Sequence, residues 1–369
     1  MNNVKPKRIL FCGYTPVHFI CFRSVYKRLS KNPDVEVYFS GGVRDNPEGI
    51  AVRDISAMYR AFHVPKERIL SPESVEKQSF DMVIGSFVSG VFPKSDKTRI
   101  HLFHGISFRN MAVRKDILVY DHLFNVGPYQ TRLFSKQKLL RKGDPRLVPI
   151  GFPKLDPLTD GSLDRPAILK RLGFSGSRPV LIYAPTGQKF NSLEIMGEEV
   201  IQRLKSSGKY DLMIKLHDHP RDTITDWPKK LRRFEDAHTK LIRDYDVVPY
   251  LFASDLLITD ASSVSSEYTL LDRPMVFLDV PQMFQMIINK GLALDLDTWG
   301  RKGGVTSRWP DEAINAVKWS LRHPGQNSAV RKAMARDFFF NPGQATDKAV
   351  EWILNWLKSG GGENAGSWH

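Results

Sequence analysis

The stretch DLLITDASSVSSEYTLLDRPMVFLD, residues 255–279, leaves the chain little freedom in how it folds. Two short runs, 256–259 and 275–278, have the length and unbroken hydrophobicity of strands buried on both faces. Asp260 ends the first run, and Ser262 and Ser263 stand where a short connecting helix must begin. Strands joined through a helix pair in parallel, and open parallel sheets bind ligands at the carboxyl ends of their strands. A helix start carries four unpaired N–H groups and a partial positive charge, which together receive an anion. The serine hydroxyls are expected to cap the helix and to face a ligand phosphate. The segment reads as the phosphate pocket of a nucleotide-handling domain.

The same grammar runs through the rest of the chain. Strands are expected at 8–14, 35–40, 82–87, 99–103, 123–126 and 147–150, then at 180–184, 212–216, 240–243, 256–259 and 275–278. Amphipathic stretches separate them, beginning with a helix just after Pro16. Such alternation predicts an α/β fold with two Rossmann-like domains facing one another across a cleft. The Pro-, Gly- and Asp-rich GFPKLDPLTDGSLDRP at 151–166 is the linker candidate. The expected organisation is therefore 1–155, a first Rossmann-like domain; 170–340, a second Rossmann-like domain that carries the phosphate pocket; 341–358, a terminal helix able to pack on either; and 359–369, a Gly-rich tail without assigned function.

Composition narrows the partners. Of 369 residues, 41% are hydrophobic and 25% charged, as in a globular protein with a full core. No apolar run approaches the roughly 20 residues of a membrane-spanning helix. The apolar start is interrupted by Gly13, Pro16 and His18, which fits a buried strand better than a signal peptide. The two cysteines, Cys12 and Cys21, are expected as free buried thiols in a reducing cytoplasm. A net charge of +14 calls for an anionic partner: nucleic acid, a membrane surface or a phosphate-rich substrate. No nucleic-acid module is recognisable. Two basic runs interleaved with apolar residues, 132–146 beside Tyr129, Leu133, Phe134 and Leu140, and 227–234 with Trp227, Leu231 and Phe234, suit a membrane surface or an ordinary helix docked on a core.

Chemistry-bearing residues gather at the expected strand ends. His104 and Gly105 end the fourth strand, where a histidine is placed for acid/base work beside a close ligand or for a structural hydrogen bond. Thr186 and Gly187, in YAPTGQKF, end the first strand of the second half and suit a phosphate or ribose. Lys215, His217 and His219, in IKLHDHP, gather cationic-capable groups that neutralise phosphate oxygens. The loop from Gly13 to His18 presents backbone amides to an acceptor or simply turns the chain. Metal ligation is not expected, because the two histidines lack a third and fourth ligand nearby; Asp244-x-Asp246 and Asp295-x-Asp297 read as solvated loop acids.

FHG at 103–105, YAPT at 183–186, KLH at 215–217, GFPKLD at 151–156 and the run 250–279 together resemble the CDP-glycerol glycerophosphotransferases. These are teichoic-acid and capsule primases and polymerases of the glycosyltransferase-B fold. The resemblance spans about 104–279, and the chain departs from the family pattern at Ala261, Gly187, Gln188 and Ile106. It implies transfer of glycerol phosphate, or a related polyol phosphate, from a CDP-activated donor to a hydroxyl of a lipid-linked or glycan acceptor, with release of CMP. It further implies His104 as general base and His217 or His219 as stabiliser of the diphosphate charge. Gly105, Thr186, Lys215, Asp260, Ser262, Ser263 and Glu267 would line the donor, and Gly13 and His18 the acceptor side. Glu267 would otherwise be a helix-surface acid. No cofactor is expected beyond the CDP-polyol substrate, nor nucleic acid as a partner. The implied location is cytoplasmic and peripheral at the inner membrane face. Sugar transfer from a nucleotide-sugar on the same fold is the nearest alternative, and non-catalytic binding of a polyanion or membrane the next.

Overall fold

The computed structural model describes residues 5–41, 55–86, 95–106, 113–218, 222, 224–291 and 294–360. The chain forms two compact units. The first comprises Met1–His104, Val113–Asp156 and Phe339–His369; the second comprises Gly105–Ala112 and Pro157–Phe338.

In the first unit the strands are β1 (Lys7–Cys12), β2 (Val35–Ser40), β3 (Ser79–Phe80), β4 (Met82–Gly85), β5 (Ser95–Asp96), β6 (Arg99–Leu102), β7 (His122–Asn125) and β8 (Leu147–Pro149). Six of them make one sheet in the order β2-β1-β4-β6-β7-β8, parallel at every pairing, while β3 and β5 form a separate ribbon. The chain starts at β1, moves outward to β2, then returns to β4 on the other side, so the switch point lies between β1 and β4. Helix Pro16–Leu29 covers the sheet with Phe19, Ile20, Phe22, Val25 and Leu29 buried, and Pro16 opens it.

This unit is closed from far along the sequence. Asp156 accepts the amides of Ala345 and Thr346 at 3.0 and 2.7 Å, capping the start of helix Ala345–Lys358. Trp352 and Trp356 of that helix pack against the His122 ring at 4.9 and 4.5 Å. Gly151 has a φ of +99°, and a Cβ there would stand 2.1 Å from the Phe340 carbonyl oxygen. The first half of the linker candidate, GFPKLD, is thus built into the first unit.

The second unit has β9 (Val180–Tyr183), β10 (Asp211–Lys215), β11 (Thr239–Ile242), β12 (Leu256–Thr259), β13 (Met275–Leu278) and β14 (Val305–Ser307). Their order is β11-β10-β9-β12-β13-β14, again parallel throughout, with the switch point between β9 and β12. β9, β12 and β13 are buried along their whole length, which is why they read as continuous apolar runs. Arg165, at the start of helix Arg165–Leu172, ties that helix to Asp255 and to the Ala253 carbonyl.

Both basic runs resolve in favour of the core. In helix Pro128–Lys136 the residues Tyr129, Leu133 and Phe134 are buried, as is Leu140 beyond it. Trp227, Leu231 and Phe234 are buried likewise, with Lys230 and Arg233 paired to Glu198 outside. Of the two readings, the ordinary helix docked on a core is the one these buried apolar residues fit. Among the described residues no helix is long and apolar enough to cross a membrane.

Candidate functional site

The first unit brings Gly13, His18 and His104 together at the carboxyl ends of β1, β4 and β6. A Cβ on Gly13 would lie 2.8 Å from the His18 Cβ, so only glycine lets the first helical turn close down on the strand end. His18 is buried and its Nδ1 accepts the Tyr14 amide at 3.3 Å, which puts the ring proton on Nε2. Its ring lies 5.1 Å from the His104 ring, tilted by 56°.

His104 Nδ1 stands 2.7 Å from the Ser86 carbonyl oxygen. A carbonyl only accepts, so Nδ1 carries the proton and Nε2 keeps its lone pair. The residue is exposed on its outer side, yet protein around its other sides displaces enough water to push its pKa below that of a free imidazole. The Ser86 carbonyl opposes this shift and the Lys154 ammonium adds to it. His104 is therefore neutral at pH 7, with one nitrogen ready to take a proton. Beside it His101 is buried against Phe103 and Tyr120, at 4.5 and 4.9 Å. Burial first and His104 second hold its pKa well below the ordinary value.

The second unit assembles Thr186, Asp260, Ser262 and Ser263 at its own switch point. Asp260 is wholly buried. One of its oxygens accepts the amides of Thr186 and Ala261 at 2.9 and 2.6 Å. The other accepts the amide and the hydroxyl of Ser192 at 3.0 and 2.9 Å. Asp260 thus shapes the loop after β9 and has no oxygen left over for a ligand. The Thr186 hydroxyl is buried without a hydrogen-bond partner. Neither the Ser262 nor the Ser263 amide has an acceptor among the described residues. Three hydrogen-bond donors without an acceptor among the described residues thus lie just beyond the ends of the adjacent strands β9 and β12, a donor set suited to an anion.

The expected capping serines behave differently. The helix is only Val264–Tyr268, and Ser263 before it has helical φ and ψ and makes no side-chain cap hydrogen bond. Five residues are too few for a strong macrodipole, so attraction for an anion there would come from the local amides and hydroxyls. Glu267 is 1% exposed, which rules out the helix-surface acid. Lys215 is buried, with its ammonium on the Leu216 carbonyl and Asp218 Oδ1 at 2.9 and 2.7 Å, so it braces the loop that carries His217. His217 is exposed, Gly105 is half-buried, and His219 lies outside the described residues. Asp244 accepts the Tyr250 hydroxyl, Asp246 the Val248 amide and Asp295 the Thr298 amide; these acids stabilise turns. Among the described residues no three His, Cys, Asp or Glu side chains form a metal cluster.

Ser86, His101 and Ser192 went unread in the sequence. Ser86 acts through its backbone and Ser192 through a partner 68 positions away, so neither leaves a local pattern. Lys154 lies in GFPKLD, a segment visible only through resemblance.

The family model described as CDP-Glycerol:Poly(glycerophosphate) glycerophosphotransferase matches residues 2–355. A teichoic acid glycerol-phosphate primase of Bacillus subtilis is 28% identical over 162 residues, 43% of this chain and 39% of the primase. A teichoic acid poly(glycerol phosphate) polymerase of the same organism is 22% identical, covering 95% of this chain and 49% of the polymerase. The chain thus spans about half or less of the length of these two relatives. Among solved structures, the wall teichoic acid polymerase TagF superposes with a TM-score of 0.65 at 19% identity, over 97% of this chain and 90% of that one. A UDP-N-acetylglucosamine 2-epimerase superposes with a TM-score of 0.54 at 15% identity, over 99% of each chain. Identities this low speak to fold alone, and the fold is the glycosyltransferase-B architecture.

Proposed function

Because the chain belongs to the CDP-glycerol:poly(glycerophosphate) glycerophosphotransferase family, we propose that it transfers glycerol phosphate, or a related polyol phosphate, from a CDP-activated donor to an acceptor hydroxyl. The acceptor oxygen attacks the phosphorus that bears the glycerol, and the bond from that phosphorus to the CMP oxygen breaks. The acceptor's proton passes to His104 Nε2, and CMP leaves with the bonding electrons. The observation that carries this reading is the fixed tautomer of His104, neutral and donating through Nδ1 to Ser86. It is already in the state a general base needs before the substrate arrives.

The second unit's share is electrostatic. The Ser262 and Ser263 amides and the Thr186 hydroxyl would hold the donor phosphates, with Asp260 fixing their geometry from behind. His217 or His219 would offset the charge that grows on departing CMP. Such transfer relies mainly on positioning and charge stabilisation, which suits a site made of amides, hydroxyls and one base. Gly13 and His18 would border the acceptor. The +14 charge would favour an acceptor lipid-linked at an anionic membrane surface, or a phosphate-rich glycan.

The test is nucleotide release from CDP-glycerol, CDP-ribitol and a UDP-sugar in parallel, each with a short lipid-like hydroxyl acceptor. CMP released from a CDP-polyol, and lost in His104→Ala, is the expected result. Release of UDP would instead make the protein a sugar transferase of the same fold.

A further inference from the structure

The tip of the loop after β9 carries a residue that none of these roles uses. Phe190 has a φ of +61° and is 47% exposed. A bulky side chain is disfavoured in the left-handed region because its Cβ crowds the following carbonyl. A single exposed aromatic is ordinary, but one held in a strained backbone is not. The surroundings impose the conformation. The Phe190 amide donates to Glu194 Oε2 at 2.6 Å, and Asn191 Nδ2 donates to Glu194 Oε1 and to the Gln188 carbonyl at 3.0 and 2.7 Å. Asn191 Oδ1 accepts the amides of Leu193 and Glu194 at 2.9 and 3.2 Å. Both feet of the loop, Thr186 and Ser192, are tied to the Asp260 carboxylate. A π-helical turn, Leu193–Gly197, follows at once, a rare form that recurs at functional sites.

So a rigidly anchored loop holds an apolar ring out toward water, four residues beyond the unpartnered Thr186 hydroxyl and on a loop whose two ends are tied to the same carboxylate. Phe190 makes no aromatic contact among the described residues, and about half of it faces water. We infer that Phe190 is the stacking platform for the donor's nucleobase, which rests on the nucleotide-donor reading above. A planar base laid on the ring would cover the exposed apolar face, and the loop's ties to Asp260 would fix the ring's distance from the phosphates. Stacking accepts any base, so the ring would set affinity while other contacts select cytosine.

The experiment is calorimetric titration of the whole chain and its Phe190→Ala and Phe190→Trp variants with CDP, UDP and pyrophosphate. Phe190→Ala should weaken CDP by about tenfold to a hundredfold. Phe190→Trp should stay within a few-fold of the parent, and pyrophosphate, which has no base, should bind all three alike. Phe190→Gly, which adopts positive φ freely, should melt no lower than the parent and yet share the loss of CDP affinity. Equal CDP affinity in parent and Phe190→Ala would overturn the inference. So would an equal loss of pyrophosphate binding, since the ring would then act by shaping the loop. Tight UDP binding with the same Phe190 dependence, and none of CDP, would keep the platform and remove the CDP-polyol donor. A parent chain that binds neither nucleotide would remove both.

Discussion

At the switch point of the first sheet, between β1 and β4, the chain places ring nitrogens. At the switch point of the second, between β9 and β12, it places amides and hydroxyls around a buried carboxylate. The topology is repeated, yet only the first set can exchange a proton near neutral pH. The second set offers hydrogen-bond donors, and its one carboxylate, Asp260, is turned inward by four hydrogen bonds from the protein itself. On the proposed function, proton handling and anion holding would fall to separate sheets, each set by its own surroundings.

Substitutions can test that separation. The largest effect should come from His104→Ala, which should lower kcat by about 10²–10⁴-fold while leaving the donor KM nearly unchanged. A comparable loss in donor affinity would mean that the first sheet also holds the phosphate. Next is Asp260→Ala, which strands four buried donors and should destabilise the second unit by about 3 kcal/mol in urea unfolding. His104→Ala should leave that unfolding transition where it was. Gly13→Ala should cost about 1–3 kcal/mol, because the added methyl meets the His18 Cβ, and should displace the His18 ring. A variant with wild-type unfolding and turnover would show that this close approach is dispensable.

The smallest effect, and the one that best separates the units, is on acid stability. His101 and His122, like His104, have pKa values lowered by burial, so the unfolded first unit binds more protons than the folded one once pH falls below about 6.5. Its stability is complete above that pH and declines as acid is added toward pH 5. In the second unit Asp222 is held down to about 2, first by the Ile224 amide, so its contribution persists until pH drops below about 4. Calorimetry between pH 7 and 5 should therefore move a transition of the first unit and leave the second nearly still. His101→Phe should blunt the shift.

Burial on both faces made β12 and β13 legible as unbroken apolar runs, and alternation did the same for β2. All three occupy the residues expected, the other expected strands lie within a residue or two, and the two-residue strands β3 and β5 were not expected. β14 was missed. Val305–Ser307 is three residues long behind Gly303 and Gly304, and a Cβ on Gly304 would stand 2.4 Å from the Met275 carbonyl oxygen. Glycine there permits close strand approach, whereas in the sequence it looks like a loop. At the site, His104, Thr186 and Ser262 were readable because position at a strand end is a local property. The inward role of Asp260 was not, since its partners lie 68 and 74 residues away. Nor was the burial of Glu267, which periodicity over a five-residue helix cannot reveal.

The cap that Asp156 places on helix Ala345–Lys358 joins residues 189 positions apart, and this bears on the order of events during synthesis. All eight strands of the first unit emerge from the ribosome early, but the helix that closes the unit emerges only after the whole second unit. Apart from Gly105–Ala112, the second unit is one continuous stretch, Pro157–Phe338, and that stretch can fold first. Closing a free loop of that length would cost about 5 kcal/mol of chain entropy. Once the intervening unit has folded, most of that cost has already been met by its own contacts. The half of the protein that begins last would then finish first, and its folding would bring the ends of the other half together.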